Sequence, residues 1–124
     1  MTCFDIYLTS LNLIGEPEDT SATADYQVRA VRLFGYVLAK LYSVHKALGG
    51  NDIDISELIC DTLDIEFMLD SRLIPAASLE LASLLLLDEL PEISEALKKR
   101  AEEECARVAA EAVSVTPTRE VYGS

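Results

Sequence analysis

The sequence predicts an all-α fold: a small four-helix bundle with an irregular acidic insert that contains a short extended segment, followed by an extended C-terminal tail. Three observations predict it. From Leu73 to Leu90 the stretch LIPAASLELASLLLLDEL has only Glu80 among its charges before Asp88, so as a helix it is apolar nearly all round and must sit inside other elements. From Pro91 to Val113, the residues Ile93, Leu97, Ala101, Cys105, Val108 and Ala112 recur at helical spacing, with Glu92, Glu95, Lys98, Lys99, Glu102, Glu103 and Arg107 between them, the pattern of an amphipathic cover helix. Half of the 124 residues are hydrophobic, yet only 6% are aromatic and Trp is absent, which favours an aliphatic helical core over a β-sandwich. One domain is expected at this length, with residues 1–113 as the helical unit and 114–124 as a docking tail.

Each element has its own signal. Phe4, Leu8, Leu11 and Ile14 mark a short first helix, and Gly15 stands where helices commonly end. Glu16 to Thr23 is acidic, hydroxyl-rich and contains Pro17, hence a loop; Thr20 or Ser21 can cap the next helix, and the dipole favours Asp25 in its first turn. The second helix is long: Val31, Phe34, Val37 or Leu38, Leu41, Val44 and Leu48 repeat until Gly49-Gly50 stops it, with Tyr36 and Tyr42 flanking its core. In the insert, Asn51 to Arg72, Ser56 opens a short helix through Leu63 and the run DIEFML is extended. Pro75 sits in the first turn of the buried helix and Pro91 at its junction with the cover helix. The tail SVTPTREVYGS is β-branched, contains Pro117 and has no helical period.

Charge is divided unevenly. The chain carries a formal net charge of −12, which argues against a general nucleic-acid binder, because phosphate contacts need clustered Lys and Arg. Tyr26 to Gly50 holds Arg29, Arg32, Lys40 and Lys46 with no acid, whereas Asn51 to Asp70 holds seven acids, Asp52, Asp54, Glu57, Asp61, Asp64, Glu66 and Asp70, with no base. Complementary docking, within the subunit or between neighbours, is one reading of this division; an ordinary solvated surface is the other. The candidate partner-interface residues are Arg29, Arg32, Lys40, Asp52, Asp54 and Asp61, together with Thr116, Arg119, Val121 and Tyr122 of the tail.

Catalytic chemistry finds no footing. Asp52-x-Asp54-x-Ser56 begins like a calcium loop but has Glu57 where the loop needs Gly and Leu63 where it needs a bidentate Glu. His45 is the one histidine and lies among Leu41, Val44 and Leu48, so nucleophilic triads lack their usual base. Glu102, Glu103 and Glu104 point in different directions around a helix, and Gly49-Gly50 lacks the Lys-Ser/Thr of a phosphate loop. Cys3, Cys60 and Cys105 are odd in number and far apart, which fits reduced thiols rather than disulfides or zinc. No catalytic residue, cofactor or metal is expected. The N-terminus lacks the basic region of a signal peptide, the uncharged run Leu81 to Leu87 is far short of a membrane span, and the cover helix is Glu-rich over Ala rather than basic over bulky residues, so no membrane partner is expected.

The order of the pieces nevertheless resembles a known family. LTSLNLIGEPEDTSATADYQVRAVRLFGYVLAKL, through Leu13-Ile14-Gly15-Glu16 and Thr20-Ser21-Ala22, resembles the opening of the head-to-tail adaptor proteins of tailed bacteriophages. RLIPAASLELASLLLLDELPEISEALKKRAEEECARVAAEA resembles their second half, with a proline, an Ala/Leu helix, a turn and a charged helix bearing Ala-Arg near its end. The likeness spans about residues 4 to 113. It departs at Phe34-Gly35-Tyr36-Val37-Leu38-Ala39-Lys40, where short-tailed phage members carry Asn-x-Met-Leu-x-x-Trp. The resemblance implies a structural virion protein of the neck, assembled from the host cytoplasm into a ring, typically of twelve copies. Its partners would be further copies of itself, the portal protein, a tail or neck protein, and genomic DNA passing through without specific binding. An acidic wall would keep the duplex centred, and a ring of this kind needs two different, complementary faces. The alternative is a small acidic helical interaction module, of DNA-mimic or anti-repressor type.

Overall fold

The computed structural model describes residues 1–15, 21–58 and 61–123, with the side chains of 21–24, 55 and 113–123 left aside. Among the described residues four α-helices follow one another: α1 (Cys3–Leu13), α2 (Ser21–Ala47), α3 (Ile74–Leu86) and α4 (Pro91–Gly123). The described part of the link between α2 and α3 holds two 3₁₀ turns, Ile55–Leu58 and Ser71–Leu73. Extended pairing among the described residues is confined to one antiparallel bridge between Thr2 and Glu66. The expected all-α bundle with an irregular insert is what the chain forms.

The central position of α3 follows from its composition. Ten of its 13 residues are buried, and it packs against α1, α2 and α4. Small residues let its neighbours approach: the buried Ser10 hydroxyl of α1 lies 2.9 Å from the Ser78 carbonyl and donates to it. Across the α3–α4 contact, the Ser83 hydroxyl donates to the Ser94 carbonyl at 2.8 Å and the Ser94 hydroxyl to the Ser83 carbonyl at 2.7 Å, so two buried polar side chains satisfy each other. The cover helix keeps its expected phase, with Leu97, Ala101 and Val108 buried and Cys105 and Ala112 half-buried, except in its first turn, where Ile93 is 49% exposed and Ser94 is buried in its place.

In α1 the buried face is Cys3, Ile6, Tyr7, Ser10 and Leu11, the i, i+3, i+4, i+7, i+8 set of one helix side. Phe4, Leu8 and Ile14, which marked this helix in the sequence, are half-buried. The helix starts with a capping box: the Asp5 amide donates to Thr2 Oγ1 at 3.2 Å and the Thr2 amide to Asp5 Oδ2 at 2.9 Å. Two further amides of its first turn donate to the insert, Cys3 to the Ile65 carbonyl at 2.8 Å and Phe4 to the Leu63 carbonyl at 2.9 Å, while Phe67 donates back to the Met1 carbonyl at 3.0 Å. The run expected to be extended therefore closes over the N-terminus. The helix expected from Ser56 through Leu63 is shorter than that: the 3₁₀ turn ends at Leu58, residues 59–60 lie outside the described residues, and no helix spans 61–70. The Leu63 and Ile65 carbonyls serve the free amides of α1 instead of a helix of their own.

The buried side of α2 is Tyr26, Ala30, Phe34, Val37, Leu38, Leu41 and His45; Val31, Val44 and Leu48 are half-buried. Its C-terminus is a Schellman motif. Gly49 adopts φ +89°, its amide donates to the Lys46 carbonyl at 3.0 Å, and the Gly50 amide donates to the His45 carbonyl at 2.9 Å. His45 then fastens the insert. The Asp70 amide donates to His45 Nδ1 at 2.9 Å, which leaves the ring proton on Nε2 to be donated to the Asn51 carbonyl at 2.9 Å. Tyr42 adds its hydroxyl oxygen as acceptor for the Ile53 amide at 3.1 Å, and Leu58, Leu63 and Leu69 are buried beneath.

The bounds of α4 also differ from expectation, because the helix runs to Gly123 through the stretch read as an extended tail from Ser114. Once a helix is nucleated each added residue gains a hydrogen bond, and β-branched residues reduce that tendency without abolishing it.

Asp70 caps the turn that leads into α3, accepting the Arg72 amide at 2.9 Å and its guanidinium at 2.9 and 3.0 Å. The Arg72 hydrogen bonds hold the Asp70 carboxyl below its ordinary value of 3.8. A carboxylate depressed in the folded state contributes stability above its unfolded value and loses it as pH falls through the folded value. Asp70→Asn keeps the capping oxygen and removes the charge. It is expected to cost under about 1 kcal/mol at neutral pH, because Arg72 is solvated, with the gap to wild type closing as urea titrations are moved below pH 3.8. An undiminished gap at low pH would show that the charge is irrelevant.

Candidate partner interface

The four bases of α2 divide into two kinds once the chain is folded. Lys40 Nζ lies 2.7 Å from Glu80 Oε1, which joins the one charge of the buried helix to the bundle surface. Glu80 is 3% exposed. Partial burial pushes the Lys40 ammonium down, and the hydrogen bond and charge of Glu80 together outweigh it, so Lys40 stands above its ordinary value. Lys46 Nζ lies 2.6 Å from Asp52 Oδ1; their hydrogen bond raises Lys46 and lowers Asp52, but both are exposed and the pair adds little to stability. Among the described residues, ion pairing of the basic helix with the acidic insert thus occurs inside the subunit at this pair.

Arg29 and Arg32 make no ion pair among the described residues. The Arg29 guanidinium stands 5.9 Å from the centroid of the Tyr26 ring, and the Tyr26 hydroxyl donates to Glu89 at 2.7 Å. Arg32 is exposed between Val28 and Tyr36, which are 66% and 61% exposed. Positions 28, 32 and 36 are four apart and share one helix side, opposite the buried stripe. This corrects the placing of Tyr36 beside the core and makes the outer face of α2 basic and apolar together.

Of the acids singled out in the insert, Asp54 accepts the Ser56 amide at 3.2 Å to start the 3₁₀ turn, and Asp61 is exposed. The side chains of Thr116, Arg119, Val121 and Tyr122 lie outside the described residues. A second apolar patch escaped the sequence reading. At the α3–α4 corner, Leu87, Leu90 and Ile93 are 55%, 47% and 49% exposed, and Glu89, Leu90, Pro91, Glu92 and Ile93 line a depression of about 280 Å³. The signal was present in the sequence, since Leu87 and Leu90 extend the apolar run beyond the end of α3, but the whole run reads as one buried helix.

A smaller cleft of about 200 Å³ opens between α2, α3 and α4, lined by Lys40, Leu41, Val44, Glu80, Ala101, Glu102 and Cys105. Burial, and after it the Glu80 charge, pushes the Cys105 thiol up, which keeps it protonated and a poor nucleophile. Cys3 is buried in the core, and Cys60 lies outside the described residues. Among the described residues no three His, Cys, Asp or Glu side chains gather as a metal site, and no helix is long and apolar enough to cross a membrane. In comparisons with protein families, curated proteins and solved structures, nothing matches this chain.

Proposed function

We propose that this chain is a connector subunit of a tailed-phage neck, a non-enzymatic structural protein whose copies form a ring between portal and tail and let genomic DNA pass. The observation that carries the reading is the outer face of α2. It presents Arg29 and Arg32 without ion-pair partners among the described residues, beside exposed Val28 and Tyr36, on a body of net charge −12. A basic and aromatic patch on an acidic protein is a contact surface for another protein, because aromatic and Arg side chains dominate interface energetics. The acidic remainder repels DNA at short range instead of gripping it. The resemblance over about residues 4 to 113 supplies the partners: further copies, a portal and a tail-side protein, with twelve copies the implied number.

A second reading rests on the insert, where Asp52, Asp54, Glu57, Asp61, Asp64 and Glu66 are all exposed and offer a run of carboxylates to a basic nucleic-acid-binding protein. One experiment separates the two. Mixed with the portal protein of the genome that encodes it, if the connector reading holds, the chain is expected to give a cyclic complex in native mass spectrometry and electron microscopy. Failure to associate with portal, combined with displacement of DNA from a basic DNA-binding protein, would transfer the assignment to the acidic mimic.

A further inference from the structure

We infer that the outer face of α2 docks on the α3–α4 corner of a second copy of this chain, with Tyr36 seated in the corner's depression and Arg29 and Arg32 set against Asp88 and Glu92. The inference deepens the connector reading and rests on it for the identity of the partner. Three features of the fold support it. The two faces have opposite charge around matching apolar centres: Val28 and Tyr36 among arginines on α2, Leu87, Leu90 and Ile93 among Asp88, Glu89 and Glu92 at the corner. Neither Arg29 and Arg32 nor Asp88 and Glu92 form ion pairs among the described residues, whereas Lys40, Lys46 and Asp52 do. The corner is concave, about 280 Å³, and α2 is a rigid helix that presents a single exposed aromatic ring on that side. An exposed aromatic beside arginines, and an acid-rimmed apolar depression on the same chain, are the two unlike surfaces a heterologous contact requires.

The acids differ from those singled out in the sequence. Asp52 is paired with Lys46 and Asp70 with Arg72, so the insert has less unpaired charge than its composition suggests. Glu89 is likewise engaged by the Tyr26 hydroxyl at 2.7 Å, which leaves Asp88 and Glu92 as the acids offered outward.

Sedimentation velocity on the intact chain up to about 1 mM, the weak end of specific association, tests the contact. Wild type is expected to grow past the dimer with concentration. Tyr36→Ala is expected to weaken growth by about 30-fold, as loss of a central aromatic anchor does. Arg29→Glu/Arg32→Glu, which blocks only the α2 face, and Glu92→Lys/Ile93→Lys, which blocks only the corner, should each stay monomeric alone while keeping wild-type helical circular dichroism, since all four positions lie on the surface. Mixed together they should form a dimer, because one intact junction remains. The loss in the two charge-reversal variants, though not in Tyr36→Ala, should deepen as salt is lowered and like charges repel over a longer distance. Wild type that stays monomeric throughout, growth that stops at a dimer, or a single-face variant that associates normally overturns the inference. A ring on the portal unaffected by either variant would overturn this contact and leave the connector reading standing. Self-association by this contact without portal binding would do the reverse.

Discussion

Gly50→Ala is expected to destabilise the protein by about 3 kcal/mol, the combined effect of overpacking and of two broken, partly buried hydrogen bonds. A Cβ at position 50 would fall inside the van der Waals envelope of the His45 ring, against Cε1, Nε2 and Nδ1 together. The ring is 2% exposed and cannot turn aside without losing both the Asp70 amide and the Asn51 carbonyl. Those two bonds are 19 residues apart in the chain, so displacing one ring releases both ends of the acidic insert from α2. Urea midpoints would report the loss, and faster hydrogen exchange at the Asp70 amide would locate it. His45→Ala alone should also be costly, but in that background Gly50→Ala should add little, since the clash has gone; a cost that persists undiminished would refute the steric explanation. Gly49→Ala differs in kind. Nothing crowds position 49, but its φ of +89° costs a side chain about 1 kcal/mol, and that cost should not depend on His45.

This clamp was only half legible in the sequence. Gly49-Gly50 marked the end of α2 correctly, because a positive φ at the residue after a helix selects glycine. That Gly50 leaves room for an imidazole was not legible, since it depends on where a turn brings the chain back. The same boundary between local and long-range information runs through the whole fold. The central helix could be read directly: a stretch with one charge in 15 residues, Leu73 to Leu87, has nowhere to go but the interior. The phase of α4 could be read from Leu97 onward but not in its first turn, where Ile93 and Ser94 compete for one position and the serine is held by reciprocal bonds to Ser83. In α1, CFDIYLTSLNL carries apolar residues on more than one side, and the packing of α3 decides which side is covered.

The interface was legible in its charge and not in its geometry. The contrast between basic α2 and the acidic insert could be counted from composition, but only the fold shows that Lys46 and Asp52 neutralise each other and that Arg29 and Arg32 do not take part. Tyr36 illustrates the limit of propensity reasoning. An aromatic at position 36 of a helix whose core includes Phe34 and Val37 looks internal by composition, yet 100° per residue puts it on the opposite side. The hairpin corner was missed for the converse reason. Leu87 and Leu90 continue an apolar run, and a run alone carries no information about where the helix stops and exposure begins.

Lys40→Met is expected to be the most damaging surface-accessible substitution in the bundle, at about 2–4 kcal/mol, because it strands the Glu80 carboxylate without its partner inside the fold. The estimate lies toward the low side of a fully buried pair because the Lys40 side chain is 35% exposed while that of Glu80 is 4% exposed. The asymmetry makes the prediction sharp. Glu80→Met removes the buried charge itself and leaves Lys40 free to turn toward water, so it should cost under about 1 kcal/mol or stabilise. The double variant Lys40→Met/Glu80→Met should therefore recover most of the loss, and in favourable packing exceed wild type, since the cleft it fills is lined by Leu41, Val44 and Ala101. Thermal or urea melts of the three variants decide the matter: if Lys40→Met and Glu80→Met are equally mild, the pair is an ordinary surface salt bridge and the buried charge of α3 finds its compensation elsewhere.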